Sequence, residues 1–120
     1  MPTIAVIGAS ADRAKFGNRC VRAYAQEGWA VYPVHPSETA IEGITSYRSI
    51  RDVPAGPIDL VSVYLPASRG LAVMDEIAGR GDVREVMLNP GADNPEVVAK
   101  GQALGLNVVT GCSLIALRGG

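Results

Sequence analysis

Histidine occurs once and cysteine twice in this chain of 120 residues, and the scarcity excludes several chemistries. Cys20 and Cys112 lie far apart and form no CxxC pair, so neither a metal knuckle nor a thioredoxin-like dithiol is indicated. With His35 the sole histidine, a zinc site lacks its usual ligands and no metal residues are assigned. There is no GxSxG elbow and no pair of carboxylates at a recognisable strand end, so no nucleophile, base and acid can be grouped and no catalytic residue is named. Excess charge is also missing. Eleven basic and 12 acidic residues leave a net charge of -1, which removes any whole-molecule attraction to nucleic acid or to an anionic membrane. No apolar run approaches the length of a bilayer span, and "MPTIAVIG" has no basic segment ahead of a long apolar one; a soluble cytoplasmic protein is expected.

What is present is globular. Hydrophobic residues make up 48% of the chain and charged ones 19%, enough apolar surface for one core, and the length leaves no room for a second substrate domain. A single domain over 1–120 is expected. Short apolar runs alternate with helix-like stretches: TIAVIG (Thr3–Gly8), AVYPV (Ala30–Val34), DLVSVYLP (Asp59–Pro66), EVMLNP (Glu85–Pro90) and the weaker NVVTG (Asn107–Gly111). Their two-sided apolar character is that of strands covered on both faces. Between them, helical spacing runs over Gly17–Glu27 up to Gly28, over Ser68–Ala78 up to Gly79, and from an Asp93 or Asn94 cap through Pro95 to Leu104. Ser37 to Pro57 is less regular and is expected to hold a short extended piece and one helical turn. The alternation reads as an α/β, Rossmann-like, doubly wound domain: a mainly parallel five-stranded sheet with helices on both faces, successive helices alternating between them.

Ligands of such domains bind beyond the carboxyl ends of the strands, so the residues after each strand are the candidates. After the first strand stand Gly8, Ala9 and Ser10, then Arg13 and Lys15, then Gly17 and Asn18 at the head of a helix. A glycine lets backbone approach a ligand, and a helix N-terminus offers N–H groups to a phosphate. After the second come Pro33, Val34, His35 and Pro36, with no carboxylate to read a ribose as in NAD-binding domains. Tyr64, Leu65 and Pro66 follow the third run, with Ser68 placed to cap the next helix. Asn89, Pro90 and Gly91 form the turn after the fourth. Cys112 follows the fifth, where a free cysteine is ordinarily a small buried hydrophobe.

In this order and spacing, "VIGAS" with "GN" at the helix start, "GWAVYPVHP" followed by "IEG", "DLVSVYLPAS", "VMLNPGADNPEVVAKGQALGLNVV" and a terminal cysteine resemble one family nearly end to end. It is that of the small stand-alone CoA-binding proteins, whose fold is that of the CoA-binding domain of succinyl-CoA synthetase alpha subunits. The resemblance implies CoA or acyl-CoA as ligand. It puts Gly8, Ala9 and Ser10 near the pyrophosphate, the "PVHP" turn at the adenosine end, and the "YLP" and "NPG" turns beside the nucleotide and pantetheine path. Relatives more often carry asparagine at His35 and a lysine or arginine just after the turn, where Ser37 and Glu38 stand here. The synthetase's second domain, which supplies a phosphorylated histidine, has no counterpart, so its reaction is not implied. The expected role is a non-catalytic or regulatory module with a CoA-type nucleotide as partner. Alternatives are an enzyme subunit using NAD(P) or another nucleotide, and a ligand-free interaction domain. A homodimer or protein contact through Leu114, Ile115 and Leu117 stays open, with packing of that tail on the sheet edge the simpler arrangement.

Overall fold

The computed structural model describes residues 1–119. Five strands form one parallel sheet: β1 (Thr3–Ile7), β2 (Ala30–Val34), β5 (Leu60–Val63), β6 (Val86–Leu88) and β7 (Val108–Thr110), in the order β2-β1-β5-β6-β7. The register is continuous, with Thr3 to Ile7 beside Ala30 to Val34 on one side and Ile4 to Ile7 beside Leu60 to Val63 on the other. Four helices cover it: α1 (Phe16–Gln26), α2 (Ala67–Arg80), α3 (Pro95–Ala103) and α4 (Ser113–Gly119).

The pleat explains why these strands are apolar throughout. On β1, Ala5 and Ile7 enter the core beneath α2 with Val61, Val63, Met74 and Ile77, while Ile4 and Val6 enter the opposite core with Cys20, Val21 and Tyr24 of α1. Burial of each large aliphatic side chain contributes about 1.5–3 kcal/mol, so a polar substitution on either face of β1 is destabilising. The helices do not alternate between the faces as expected. α2 packs against α3, and α1 against α4. Strand order reverses only once, between β2 and β5, and right-handed crossovers advancing in one direction keep their helices on one face.

Three local expectations also change. α2 runs through Gly79 and ends at Arg80, with Gly81 (φ 73°) taking the left-handed terminal conformation; it starts at Ala67, one residue ahead of Ser68, which is therefore no cap. Ser37 to Pro57 holds the hairpin of β3 (Ala40–Ile41) and β4 (Ile44–Thr45), turning on Glu42 (φ 51°) and Gly43 (φ 74°), and then a 3-10 turn at Ile50–Asp52. The C-terminal tail is helical rather than laid along the sheet edge. Leu117 packs into the α1-side core while Ile115 points to solvent, 69% exposed. Its start is held from afar: the Ser113 N–H donates to Asn89 Oδ1 (2.8 Å), and the Tyr24 hydroxyl donates to the Ser113 carbonyl (2.7 Å).

Candidate functional site

The crossovers step along the sheet in opposite directions from β1 and from β5, and the boundary between these two strands is the position at which doubly wound domains open a crevice at their carboxyl ends. A cavity of about 580 Å³ lies there. Its rim is built from the turns after β1, β2 and β5, from Arg48 to Ile50, and from the stripe Ser68, Arg69, Ala72, Val73 and Glu76 of α2.

The turn after β1 is where three strand ends meet. Gly8 has φ 90°; its N–H donates to the Val34 carbonyl (3.3 Å), and a Cβ on it would lie 2.6 Å from the Tyr64 carbonyl oxygen. Gly17 closes the other side, since a Cβ there would lie 2.2 Å from the Gly8 oxygen. The wide separation of the two glycines in sequence is thus an excursion of residues 10–15 that returns to the same spot. That excursion holds itself: Asp12 N–H donates to Ser10 Oγ (3.0 Å), and Ala14 N–H to Asp12 Oδ1 (3.0 Å). Asn18 is fully buried under it and donates to the Ser10 carbonyl (2.8 Å) and to Glu42 (3.1 Å), while its Oδ1 accepts from Arg22 (2.8 Å). Arg13 faces Glu42 at 3.5 Å.

Of the residues singled out from the sequence, Gly8, Ala9, Ser10, Lys15, Val34, His35, Pro36, Tyr64, Leu65 and Pro66 line this one cavity. Arg13, Gly17 and Asn18 stand behind the lining and hold the turn in shape. Pro33 is buried in β2 with its carbonyl taken by Tyr47 N–H (2.9 Å). Asn89, Pro90 and Gly91 are not in the lining, nor is Cys112. The Asn89 amide instead donates to Ser62 Oγ and the Val63 carbonyl, both at 2.9 Å.

Sequence reading missed Arg48, Ser49, Arg69 and Glu76. Arg48 and Ser49 come from the irregular stretch, and the α2 residues carry no motif. Only the helical spacing of 69, 72, 73 and 76 marks a common face, and nothing local says which way it points. The Ser49 hydroxyl donates to Glu76 Oε1 (2.6 Å), joining the 3-10 turn to α2. Arg80 secures the same segment, donating to the carbonyls of Ile50 (2.9 Å), Val53 (2.7 Å) and Pro54 (3.0 Å) and pairing with Asp82 (2.9 Å).

Charge is asymmetric here. Lys15, Arg48 and Arg69 all line the cavity and, among the described residues, none is in an ion pair; Glu76 is the one carboxylate of the lining. At the back, the Tyr64 hydroxyl is buried without a hydrogen-bond partner, and burial together with the neighbouring Cys20 raises its pKa above the ordinary phenol value. Burial likewise pushes the Cys20 thiol up to about 11, which makes it an inert core group at neutral pH. A glycine turn, an apolar floor and three cations outside any ion pair among the described residues give the cavity a lining chemically suited to phosphate groups.

The fold is α/β and Rossmann-like, with its cavity at the carboxyl ends of the strands. Residues 2–118 match the CoA binding domain family model, and the chain belongs to that family. It is 32% identical over 89 residues to the alpha subunit of an ADP-forming acetate–CoA ligase of Pyrococcus furiosus, covering 73% of this chain but 19% of that protein. The chain therefore spans about a fifth of that relative's length, and 12% of a second such ligase, from Methanocaldococcus jannaschii. Among solved structures, a conserved hypothetical protein of Pyrococcus furiosus superposes with TM-score 0.82 at 29% identity, covering 92% of this chain and 93% of that one. A dinucleotide-forming acetyl-coenzyme A synthetase of Ca. Korarchaeum cryptofilum superposes with TM-score 0.71 at 28% identity, over 89% of this chain and 25% of that one.

Proposed function

We propose that this chain binds CoA or an acyl-CoA through its adenosine-pyrophosphate part, in the cavity between the ends of β1, β2 and β5, and that it acts as a binding or regulatory module. The observation that carries the reading is the cation set of that cavity. Lys15 beside the β1 turn and Arg69 in the first turn of α2 line the cavity together with Gly8 and have no ion-pair partner among the described residues, as a pyrophosphate site requires. The carboxyl end of β2 carries His35 and no acid, so the ribose reader of NAD-type sites is missing. Glu76, the one carboxylate of the lining, accepts from the Ser49 hydroxyl, which also takes the Arg51 N–H as cap of the 3-10 turn; the pair is spent on holding that segment, which favours binding over turnover.

Thermal shift of the purified protein with CoA, acetyl-CoA, NAD, NADP and ADP tests this. A ligand at ~100 times its dissociation constant adds about 2.7 kcal/mol, a rise of several degrees for a domain of this size. A shift with CoA exceeding that with NAD is expected; a response to NADP alone, or to none of the five, overturns the reading. Tryptophan fluorescence is a poor substitute. Trp29 stacks edge-on against Tyr24 (4.9 Å) just before β2, at the opposite end of that strand from His35.

A further inference from the structure

We infer that Glu42, at the tip of the β3–β4 hairpin, is a positioning residue for the turn after β1. Acting through Asn18, its carboxylate fastens the excursion of residues 10–15 in the shape that presents Ser10 and Lys15 to the cavity. The inference rests on the nucleotide reading above for its ligand, while the fastening itself is a property of the free protein.

The hairpin keeps an awkward residue at its tip. Two-residue hairpin turns need positive φ and favour Asn, Asp or Gly, yet Glu42 sits at φ 51°, the one non-glycine with positive φ among the described residues. The hairpin's own pairs, Ala40 with Thr45 and Ile41 with Ile44, leave Glu42 out. The hairpin as a whole is held firmly. Ile41 is buried with Cys20 and Val21 of α1. Ser46 donates from its N–H to the Thr39 carbonyl (3.0 Å) and from its hydroxyl to the Pro33 carbonyl of β2 (3.3 Å). A strained backbone persists only where its surroundings hold it, and such strain collects at functional sites. The partners of the Glu42 side chain lie outside the hairpin, in the β1 turn and the start of α1.

Two contacts compete as the reason for that placement. The one to Arg13 is long (3.5 Å) and the Arg13 side chain is 66% exposed, so solvent screens it and it contributes little. The one to Asn18 is stronger, because Asn18 is fully buried and its amide has no spare capacity. Oδ1 accepts from Arg22 Nε (2.8 Å), which fixes the amide's orientation. Nδ2 then spends its two N–H groups on the Ser10 carbonyl (2.8 Å) and on Glu42 Oε2 (3.1 Å). Arg22 in turn donates through Nη2 to the Arg13 carbonyl (3.0 Å). The excursion is thus tied at its first residue by Asn18 and at its middle by Arg22, and both ties depend on one amide that Glu42 completes. Without Glu42 a buried N–H is stranded and the amide is free to turn.

Limited trypsin digestion of the intact chain, together with calorimetric titration by CoA, is the test, applied to the wild type, Glu42→Gly and Glu42→Gln. Glycine relieves the positive φ and removes the carboxylate, while glutamine keeps an oxygen for Asn18 and loses the charge. Glu42→Gly is expected to melt within about 5 °C of the wild type, and to be cut at the Arg13–Ala14 bond roughly 10-fold faster. It should bind CoA about 5- to 10-fold more weakly. Cleavage at Lys100–Gly101, inside α3, should stay as slow as in the wild type, which separates a loosened excursion from global unfolding. Glu42→Gln should match the wild type in cleavage and bind CoA at least as tightly. Wild-type cleavage of Glu42→Gly, equally fast cleavage of both variants, or a rise at both bonds together overturns the fastening through Asn18. Faster cleavage at Arg13–Ala14 with unchanged CoA affinity overturns the positioning role. If the wild type binds no CoA, the proposed function falls, and cleavage alone decides whether Glu42 fastens the excursion.

Discussion

At the carboxyl end of β1 one cation, Lys15, is left over beside a turn that otherwise holds itself, whereas at the carboxyl end of β6 the polar side chains are used up. Both ends carry a glycine with positive φ, Gly8 at 90° and Gly91 at 94°, and both lead into a helix. Yet Lys15, beside the first turn, has no ion-pair partner among the described residues, while Asn89, at the second, satisfies Ser62, Val63 and the first amide of α4 with its two side-chain heteroatoms. The difference follows from sheet order. Neighbouring crossovers diverge to opposite faces at the β1–β5 junction and leave a gap. At β6 the crossovers on either side stay on one face, and α4 closes over the other. Turn chemistry of one kind thus builds a cavity in one place and a buried structural network in the other.

Exchanging the two glycines in turn breaks the comparison most sharply. Gly8→Ala should lose about 4 kcal/mol, summing strain at positive φ with a clash against backbone that cannot move aside. Gly91→Ala, at nearly the same φ but with nothing within 4 Å of its Cβ, should lose only about 1–2 kcal/mol. Equal losses in urea denaturation would show that packing at Gly8 is not the controlling term. Next in size is Asn89→Ala, expected to remove about 2–4 kcal/mol because it strands a buried amide and hydroxyl, while any nucleotide response of the folded variant persists.

The network joining the two halves should also report on pH. Cys20, fully buried, donates to Ser62 Oγ (3.8 Å), and its pKa of about 11 lies above the ordinary 9.0. Between those values the folded state holds a proton that the unfolded chain releases. Stability is therefore fully present below pH 9 and falls as pH rises towards 11, by about 2–3 kcal/mol. Tyr24 and Tyr64, raised by burial, extend the decline in the same direction. A melting temperature flat across this window, or a curve for Cys20→Ala as steep as the wild type's, would contradict it. The smallest effects belong to the cavity cations. Lys15→Gln and Arg69→Gln should each change stability by less than ~0.5 kcal/mol yet weaken CoA about 3- to 10-fold, with a gap that narrows as salt is raised. Titrations at two ionic strengths would check this.

Much of this was legible beforehand. The two-sided apolar strands, the Asn94–Pro95 helix start and the Gly8 turn are local signals, and the structure shows each where local chemistry put it. α4 was not legible, because the group receiving its first amide, Asn89, lies 24 residues upstream and no local cap announces the helix. The hairpin on Glu42 and Gly43 was hidden for a related reason. Glu42 adopts positive φ against its own preference, and its carboxylate is engaged from outside the hairpin by Asn18 and Arg13.

The order of residues by itself determined the alternation of strand and helix, the parallel sheet and the family, since these rest on periodicity and on turn residues read within a few positions of one another. Only the tertiary structure decided which turns share a cavity and which cations remain free in it. Arg13 and Lys15 are two residues apart, yet one faces Glu42 and the other lines the cavity. Arg48 joins the site from a segment with no motif. The reason is physical: a side chain is available to a ligand only where no protein group has already paired with it, and that depends on partners brought close by folding rather than by sequence.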